Sequence, residues 1–186
     1  ISYALIIILG ITSILTFNDE VKNRMINFTK EQIFAKEKTY FFSQDHTGHY
    51  LAALDIYKQN NIFIGIGPKN FRNYCYNNEK YKKLPFICSS HPHNTYLQIL
   101  TETGLIGLLV LILAFFSLTL ISFKILYFKI LKKKLIFSNF QISLLSFFAM
   151  ILWPVAPSGS FFNNYLSIIY YLPVGLFIWS LKSKNK

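Results

Sequence analysis

Acidic side chains are scarce in this 186-residue chain, 8 against 19 basic ones, and charged residues make up only 15% beside 53% hydrophobic and 18% aromatic. No Asp, Glu, Lys or Arg occurs in residues 1–18, 103–123 or 135–181. These absences exclude an ordinary soluble domain, and the apolar content excludes a disordered chain. Also missing are an internal repeat, a low-complexity tract, an Asp-x-Asp metal motif, a carboxylate pair with a hydrolase pattern and any nucleic-acid-binding motif.

Charge-free stretches of this length point to membrane spans, each of which needs roughly 20 apolar residues as a helix. Residues 103–123 supply one span, and 135–181 are long enough for two, with Pro154-Val155-Ala156-Pro157-Ser158-Gly159-Ser160 as the break between them. Residues 1–17 supply a fourth. The alternative for that first segment, a secretory leader, lacks the basic region before it and the small-residue cleavage site after it. Ile1 opens inside an apolar run, so the expectation is that the chain forms the C-terminal part of a longer protein. The predicted fold class is all-α: a polytopic membrane helix bundle of about four spans carrying one large, partly helical loop. Its expected parts are a span at 1–17, the loop at 18–95, a span at 96–125, a short loop at 126–137, spans at 138–156 and 161–181, and a tail at 182–186.

The net charge of +11 raises the question of nucleic acid, and the placement of the charges answers it. Between Asp19 and Glu102 basic and acidic side chains nearly balance, 11 against 8. The surplus comes from lysines without acidic neighbours: Lys124, Lys129 and Lys132 to Lys134 flank one span, and Lys182, Lys184 and Lys186 follow another. Lysines at span ends are topogenic, and tracing the chain through the spans puts both clusters on one side, the cytoplasmic side by the positive-inside rule. Residues 18–95 then face outward. The expected partner is membrane lipid, not nucleic acid.

Within the outer loop, Asn18 to Tyr40 mix charges with Met25, Ile26, Phe28, Ile33 and Phe34, a pattern that fits a helix lying on the membrane surface. After His46, Tyr50, Ala53, Leu54 and Tyr57 recur at helical spacing and Asn60-Asn61 closes the segment, which predicts a second helix. The apolar run that starts at Ile62 ends in Gly65-Ile66-Gly67-Pro68, read as a turn whose glycines permit tight backbone geometry. Cys75 and Cys88, with twelve residues between them, lie in the part placed outside, where an oxidising compartment favours a disulfide. Two free thiols are the plain alternative. A zinc site with His91 and His93 is the sharper one, although Cys-x12-Cys-x2-His-x-His follows no common structural spacing.

The segment richest in chemistry is Ser89 to Gln98, which leads into Glu102 to Gly107. Thr95 with Gln98 three residues on reads as a capping box that starts a helix near Tyr96. His93 then lies beside a helix N-terminus, whose positive end disfavours the imidazolium and attracts phosphate. Such a neutral imidazole accepts a proton; a loop histidine bonded to backbone or water is the alternative. Pro92 restricts the backbone between His91 and His93, which predicts that the two side chains do not reach one substrate. Gly104 and Gly107 read as small residues for close helix contact, and Glu102 as an interfacial side chain or a partner for a loop lysine or Arg72.

His93-Asn94, nine residues, and then Gly104-Leu105-Ile106-Gly107 resembles the histidine motif of the O-antigen ligase family, in which a histidine and an Asn, Ser or Gln precede Gly-x-x-Gly by nine residues. Tyr50 to Phe71, with Ala53-Leu54 and Gly65-Ile66-Gly67-Pro68-Lys69-Asn70-Phe71, is similar to the loop helix and glycine turn of the same family. The resemblance covers roughly residues 46–125. It implies a GT-C-like glycosyltransferase of the bacterial inner membrane, its loop periplasmic, that moves a glycan from a polyprenyl (undecaprenyl) pyrophosphate carrier to lipid A core. In polymerases of the same superfamily the acceptor is instead a growing glycan chain.

The resemblance further implies that His93 is catalytic and that a loop arginine meets the pyrophosphate. Here the position four residues before Tyr50 holds His46, not arginine. Either His46, together with His49, takes its place, or the pyrophosphate meets Lys69, Arg72 or basic residues N-terminal to this sequence. His91 and Asn94 complete the candidate substrate-binding set, and Gly65, Gly67, Gly104 and Gly107 are the motif glycines. A sugar pyrophosphate already has a good leaving group, so such an enzyme has to position it, offset its charge and activate the acceptor hydroxyl. That chemistry is expected to run with no metal and no other cofactor. A transporter, the rival class, would place ionisable residues inside its spans, and haem ligation would need histidines on facing helices at membrane depth. Neither pattern is present.

Overall fold

The computed structural model describes residues 2–34, 42–82 and 87–183. Lys184 and Lys186, residues 35–40 of the expected surface helix, and residues 83–86 between the cysteines lie outside the described residues. Among the described residues every regular element is a helix and no strand occurs. The chain divides into two compact units, Ile1–Gly48 and His49–Lys186.

In the N-terminal unit α1 (Ser2–Phe17) carries no charge, and Thr12 and Thr16 turn their hydroxyls back onto the carbonyls of Ile8 and Thr12 at 2.7 and 2.9 Å. A hydroxyl is satisfied in this way where lipid offers no partner. Asn18 ends the helix, because its backbone is extended (φ −125°) and its side chain accepts from the Val21 amide at 3.0 Å. It thereby caps α2 (Asp19–Lys22), whose Asp19 and Glu20 suit the positive end of that helix. A π-helical turn, Asn23–Asn27, and α3 (Phe28–Ile33) continue at 101° to α1. As far as Ile33 the segment read as a surface helix is therefore helical and steeply bent from the first apolar helix, with Met25, Phe28 and Phe34 exposed.

The helix predicted after His46 is α4 (Gln44–Lys58), and its first turn belongs to the preceding unit. In the C-terminal unit its Ala52, Ala53 and Ile56 form a core with Phe71 and Cys75 of α5 (Phe71–Tyr76) and Tyr81 of α6 (Glu79–Lys82). Cys75 is bonded to Cys88, a closure whose chain-entropy contribution is about 3 kcal/mol. With both sulfurs used in this bond, the zinc alternative has no thiolate. Asp55 of α4 accepts from Lys80 Nζ at 2.6 Å and from the Tyr81 hydroxyl, so α6 is clasped to α4. Those two donors hold the Asp55 carboxyl below its ordinary range, and burial followed by the nearby carboxylate pushes the Tyr81 phenol up.

Among the described residues two helices, α7 (Thr95–Ile130) and α9 (Asn164–Ser183), are long and apolar enough to cross a membrane. α1 reaches that length only together with the helices beyond its bend, and α8 (Asn139–Ile151), at 13 residues, is a shorter apolar helix. α8 stops well before 156 because Pro154 disfavours helix at the preceding residue and offers no amide to continue it. α7 runs past 125 because no helix breaker intervenes until Lys132, whose φ of 52° turns the chain out of the helix. Ser138 and Gln141 form a capping box at the start of α8. The buried Gln141 amide also donates to Ser180 Oγ of α9 at 3.2 Å, a polar tie between two apolar helices.

Candidate active site

The two glycine motifs meet each other. Gly104 interrupts α7 with φ 69° and ψ −163°, a conformation close to glycine-only. The turn after Ile62 fills the interruption: the amides of Ile66 and Gly67 donate to the carbonyls of Thr101 and Glu102 at 3.1 and 2.8 Å, and those of Leu105 and Ile106 donate to Ile62 and Phe63 at 2.9 and 3.2 Å. A Cβ on Gly65 would stand 2.5 Å from the Thr101 oxygen, and one on Gly104 would stand 2.3 Å from the Phe63 carbonyl. The expectation of helix-to-helix contact at Gly104 is thereby corrected: its missing side chain admits the loop turn. Gly67, with φ 90°, completes the turn, and Gly107 lines an apolar cavity of about 410 Å³ among α7, α8 and α9.

The start of α7 also differs from its sequence reading. Asn94, not Thr95, is the N-cap; its backbone is extended (φ −145°, ψ 124°) and its Oδ1 accepts from the Leu97 amide at 3.0 Å. Asparagine is as good a cap as threonine and stands one residue earlier, so it takes the position and releases Thr95 and Gln98 for other partners. Those partners lie in the connection between α8 and α9. Asn94 Nδ2 donates to the Pro154 carbonyl at 2.7 Å, Thr95 Oγ1 to Ser158 Oγ at 2.9 Å and the Tyr96 hydroxyl to the Leu152 carbonyl at 2.7 Å. The Ser158 amide donates to the His93 carbonyl at 2.9 Å. The stretch read only as a break between spans is thus the cover of the histidine segment.

His93 immediately precedes the cap, half-buried, with a left-handed backbone (φ 57°). Its ring lies 4.1 Å from that of His91 and 5.3 Å from that of His49, measured between centroids. Pro92 does not hold His91 and His93 apart, because the left-handed turn at His93 brings the chain back beside His91. His91 is engaged at both ring nitrogens: Nδ1 accepts from the Ser90 hydroxyl at 2.8 Å and Nε2 donates to the Ser158 carbonyl at 3.2 Å. Burial pushes its pKa down, opposed by the Ser158 bond and assisted by repulsion from His49 and Arg72. His49, buried on α4, donates from Nδ1 to the Ile87 carbonyl at 3.1 Å. Three imidazoles therefore cluster at the N-terminal end of α7.

A polar cavity of about 590 Å³ adjoins this cluster, lined by Lys69, Arg72, Asn73, Ser90, Ser160 and Asn164 among others. Ser90 is the residue bonded to His91. Lys69 is held by Asn164 Oδ1 at 3.1 Å, and Arg72 projects from the first turn of α5. Two of the sequence-predicted cationic candidates thus share one cavity wall beside the histidines. His46 is described with the N-terminal unit, where Ser43 Oγ lies 2.7 Å from its Nδ1.

Gln98 and Glu102 gain roles that spacing concealed. Glu102 is fully buried without a cationic hydrogen-bond partner among the described residues, since its Oε1 accepts from the Phe71 amide at 3.0 Å and its Oε2 from Gln98 Nε2 at 3.1 Å. Thr101, also fully buried, donates to the Ala53 carbonyl of α4 at 3.1 Å. The available signal was the polar series Thr95, Gln98, Thr101 and Glu102, one stripe at helical spacing on a helix that is otherwise apolar.

The sequence pattern of the family described as O-Antigen ligase matches residues 1–112. That match runs from α1 through the histidine motif and the Gly104 break into the apolar part of α7. No curated protein and no solved structure matches the chain. With more than half of its length matched, and with the motif histidine and glycines at the centre of the geometry described above, the chain belongs to the O-antigen ligase family of glycan-transferring membrane enzymes.

Proposed function

We propose that the protein transfers a glycan from a polyprenyl pyrophosphate carrier to a hydroxyl of lipid A core, at the periplasmic face of the bacterial inner membrane. The observation that carries this reading is the placement of the half-buried His93 between two other imidazoles at the start of α7, one of which, His91, is bonded to Ser90 in the wall of the cavity that Lys69 and Arg72 also line. The acceptor hydroxyl gives its proton to His93 as its oxygen bonds to the sugar carbon. The bond from that carbon to the pyrophosphate oxygen breaks, and the electron pair leaves with the pyrophosphate. Lys69 and Arg72 offset the charge of the leaving group, and the positive end of α7 adds to them. The step as written uses no metal. His91 has both nitrogens committed within the chain, so its role is to support the ring of His93 rather than to accept the proton.

Reconstitution of the full-length protein in liposomes with a polyprenyl-pyrophosphate glycan and lipid A core tests the reading. Glycan covalently attached to lipid A core, with release of polyprenyl pyrophosphate, supports it. Glycan found only on lengthened donor chains would replace lipid A core with a growing glycan as acceptor, and an unconsumed donor would overturn the transfer itself.

A further inference from the structure

The polar cavity has two walls from parts of the chain far apart in sequence: Arg72 at the start of α5, and Ser160 in the connection between α8 and α9. Neither wall is covalently near the other, yet both end on the same two side chains of α7. Glu102 Oε1 accepts from the amide of Phe71, the residue before Arg72, at 3.0 Å. Gln98 Nε2 donates to Glu102 Oε2 and to Ser160 Oγ, each at 3.1 Å, while Gln98 Oε1 accepts from the Phe161 amide at 2.9 Å. Gln98 and Glu102 are both essentially inaccessible, at 1% and 0% exposure. A buried carboxylate held only by neutral donors is costly to keep, so its position calls for a reason.

We infer that Glu102 and Gln98 are a directional positioning pair that sets the width of the cation-lined cavity and so the affinity for the pyrophosphate donor. This inference rests on the reading of that cavity as the donor site. The direction follows from counting donors and acceptors. The Phe71 and Phe161 amides only donate, so position 102 has to present an acceptor to the first and position 98 an acceptor to the second. Between the two side chains one group has to donate and the other accept. Glutamate at 102 with glutamine at 98 satisfies every contact.

The same counting predicts what each substitution does. In Glu102→Gln the oxygen stays on the Phe71 amide, and the new NH2 group faces the NH2 group of Gln98. If Gln98 flips to relieve this, the Phe161 amide loses its acceptor and the wall at Ser160 is released. In Gln98→Glu two carboxylates face each other. The exchanged pair, Gln98→Glu with Glu102→Gln, satisfies all the contacts again, with the serine hydroxyl turning to donate.

The test measures transfer by the full-length enzyme in membranes as a function of donor and, separately, of acceptor concentration, at equal protein abundance. Each single variant is expected to raise the donor KM by about 10-fold, the equivalent of one buried hydrogen bond lost, while the acceptor KM stays near wild type. The exchanged pair should return the donor KM to within about 3-fold of wild type, because no buried group is left unpaired. An unchanged donor KM in Glu102→Gln, or an exchanged pair no better than the singles, overturns the inference. If neither single variant accumulates, the exchanged pair decides alone: accumulation with a near-wild-type donor KM supports the pair, and failure to accumulate overturns it. Arg72→Ala keeps the two levels separate. If Arg72→Ala leaves the donor KM untouched, the cavity is not the donor site; if it raises the donor KM while Glu102→Gln does not, only the positioning pair fails.

Discussion

Replacing Gly104 by alanine should take apart the joint on which the site is built. The residue sits at φ 69° and ψ −163°, where a side chain costs roughly 1–3 kcal/mol in backbone strain. Strain is the smaller part. The new Cβ would lie 2.3 Å from both the carbon and the oxygen of the Phe63 carbonyl and 2.5 Å from the Ile64 nitrogen, all backbone atoms that cannot rotate away. The turn at Ile62 to Gly67 then has to leave α7, and the backbone hydrogen bonds of Ile66, Gly67, Leu105 and Ile106 go with it. At about 1 kcal/mol net for each of these four bonds, the loss is roughly 4 kcal/mol, close to the whole stability of a marginal domain. Lys69 and Phe71 follow directly in the chain, so the cation wall of the cavity moves as well. Thermal unfolding in detergent and limited proteolysis after Ile62 report the loss. Gly175→Ala is the control: nothing lies within 4 Å of its Cβ, and alanine in a helix interior is expected to be neutral or to stabilise by up to about 1 kcal/mol. If Gly104→Ala unfolds at the wild-type temperature and the turn resists proteolysis, the joint does not hold the site together.

Replacing Cys75 and Cys88 by serine should lower stability by about 3 kcal/mol, read as the denaturant midpoint; equal midpoints for the wild type with and without reductant would contradict the bond as a stabiliser. Burial lowers the folded-state pKa of His91 from its ordinary 6.5, so its contribution is complete above pH 6.5 and is lost as pH falls through the lowered folded value. His91→Gln should therefore flatten the fall in melting temperature between pH 7.5 and 5, and an unchanged slope would show that this imidazole is not the group responsible. The Asp55 carboxyl, held down by Lys80 and Tyr81, acts in a separate window: its contribution is present above 3.8 and lost as pH falls through its lowered folded value. Alkaline phosphatase fused near Tyr81 should be active and the same reporter fused after Lys134 inactive, as the lysine distribution requires; the reverse pattern would invert the proposed topology.

The all-helical class and the apolar helices were legible because charge-free runs and helical spacing are local signals, and so was the helix after His46. Of its expected face Tyr50 and Ala53 are buried, joined by Ala52 and Ile56, while Leu54 and Tyr57 are only half-buried. Family membership was legible in His93-Asn94 and Gly104-Leu105-Ile106-Gly107, since motif spacing survives without knowledge of the fold. What those glycines do was not legible, because a positive φ at Gly104 is imposed by a turn some forty residues earlier in the chain. Thr95 and Gln98 matched a capping pattern, but a local pattern does not reveal that Asn94 wins the cap and that Gln98 turns toward Ser160. Nor does Pro154 to Ser160 reveal its contacts with the histidine segment, which join residues more than fifty apart in sequence.

Whether His93 takes the acceptor proton is decided by single-turnover transfer by His93→Ala with donor and acceptor both saturating. Saturation removes any change in binding, and equal membrane abundance removes any change in folding. A loss of about 10²-fold or more is expected, the usual contribution of a general base, with donor affinity largely kept and with His91→Gln losing much less. A rate for His93→Ala within a few-fold of wild type would contradict it, and would leave the cationic cavity and the orientation of the acceptor as the source of the rate.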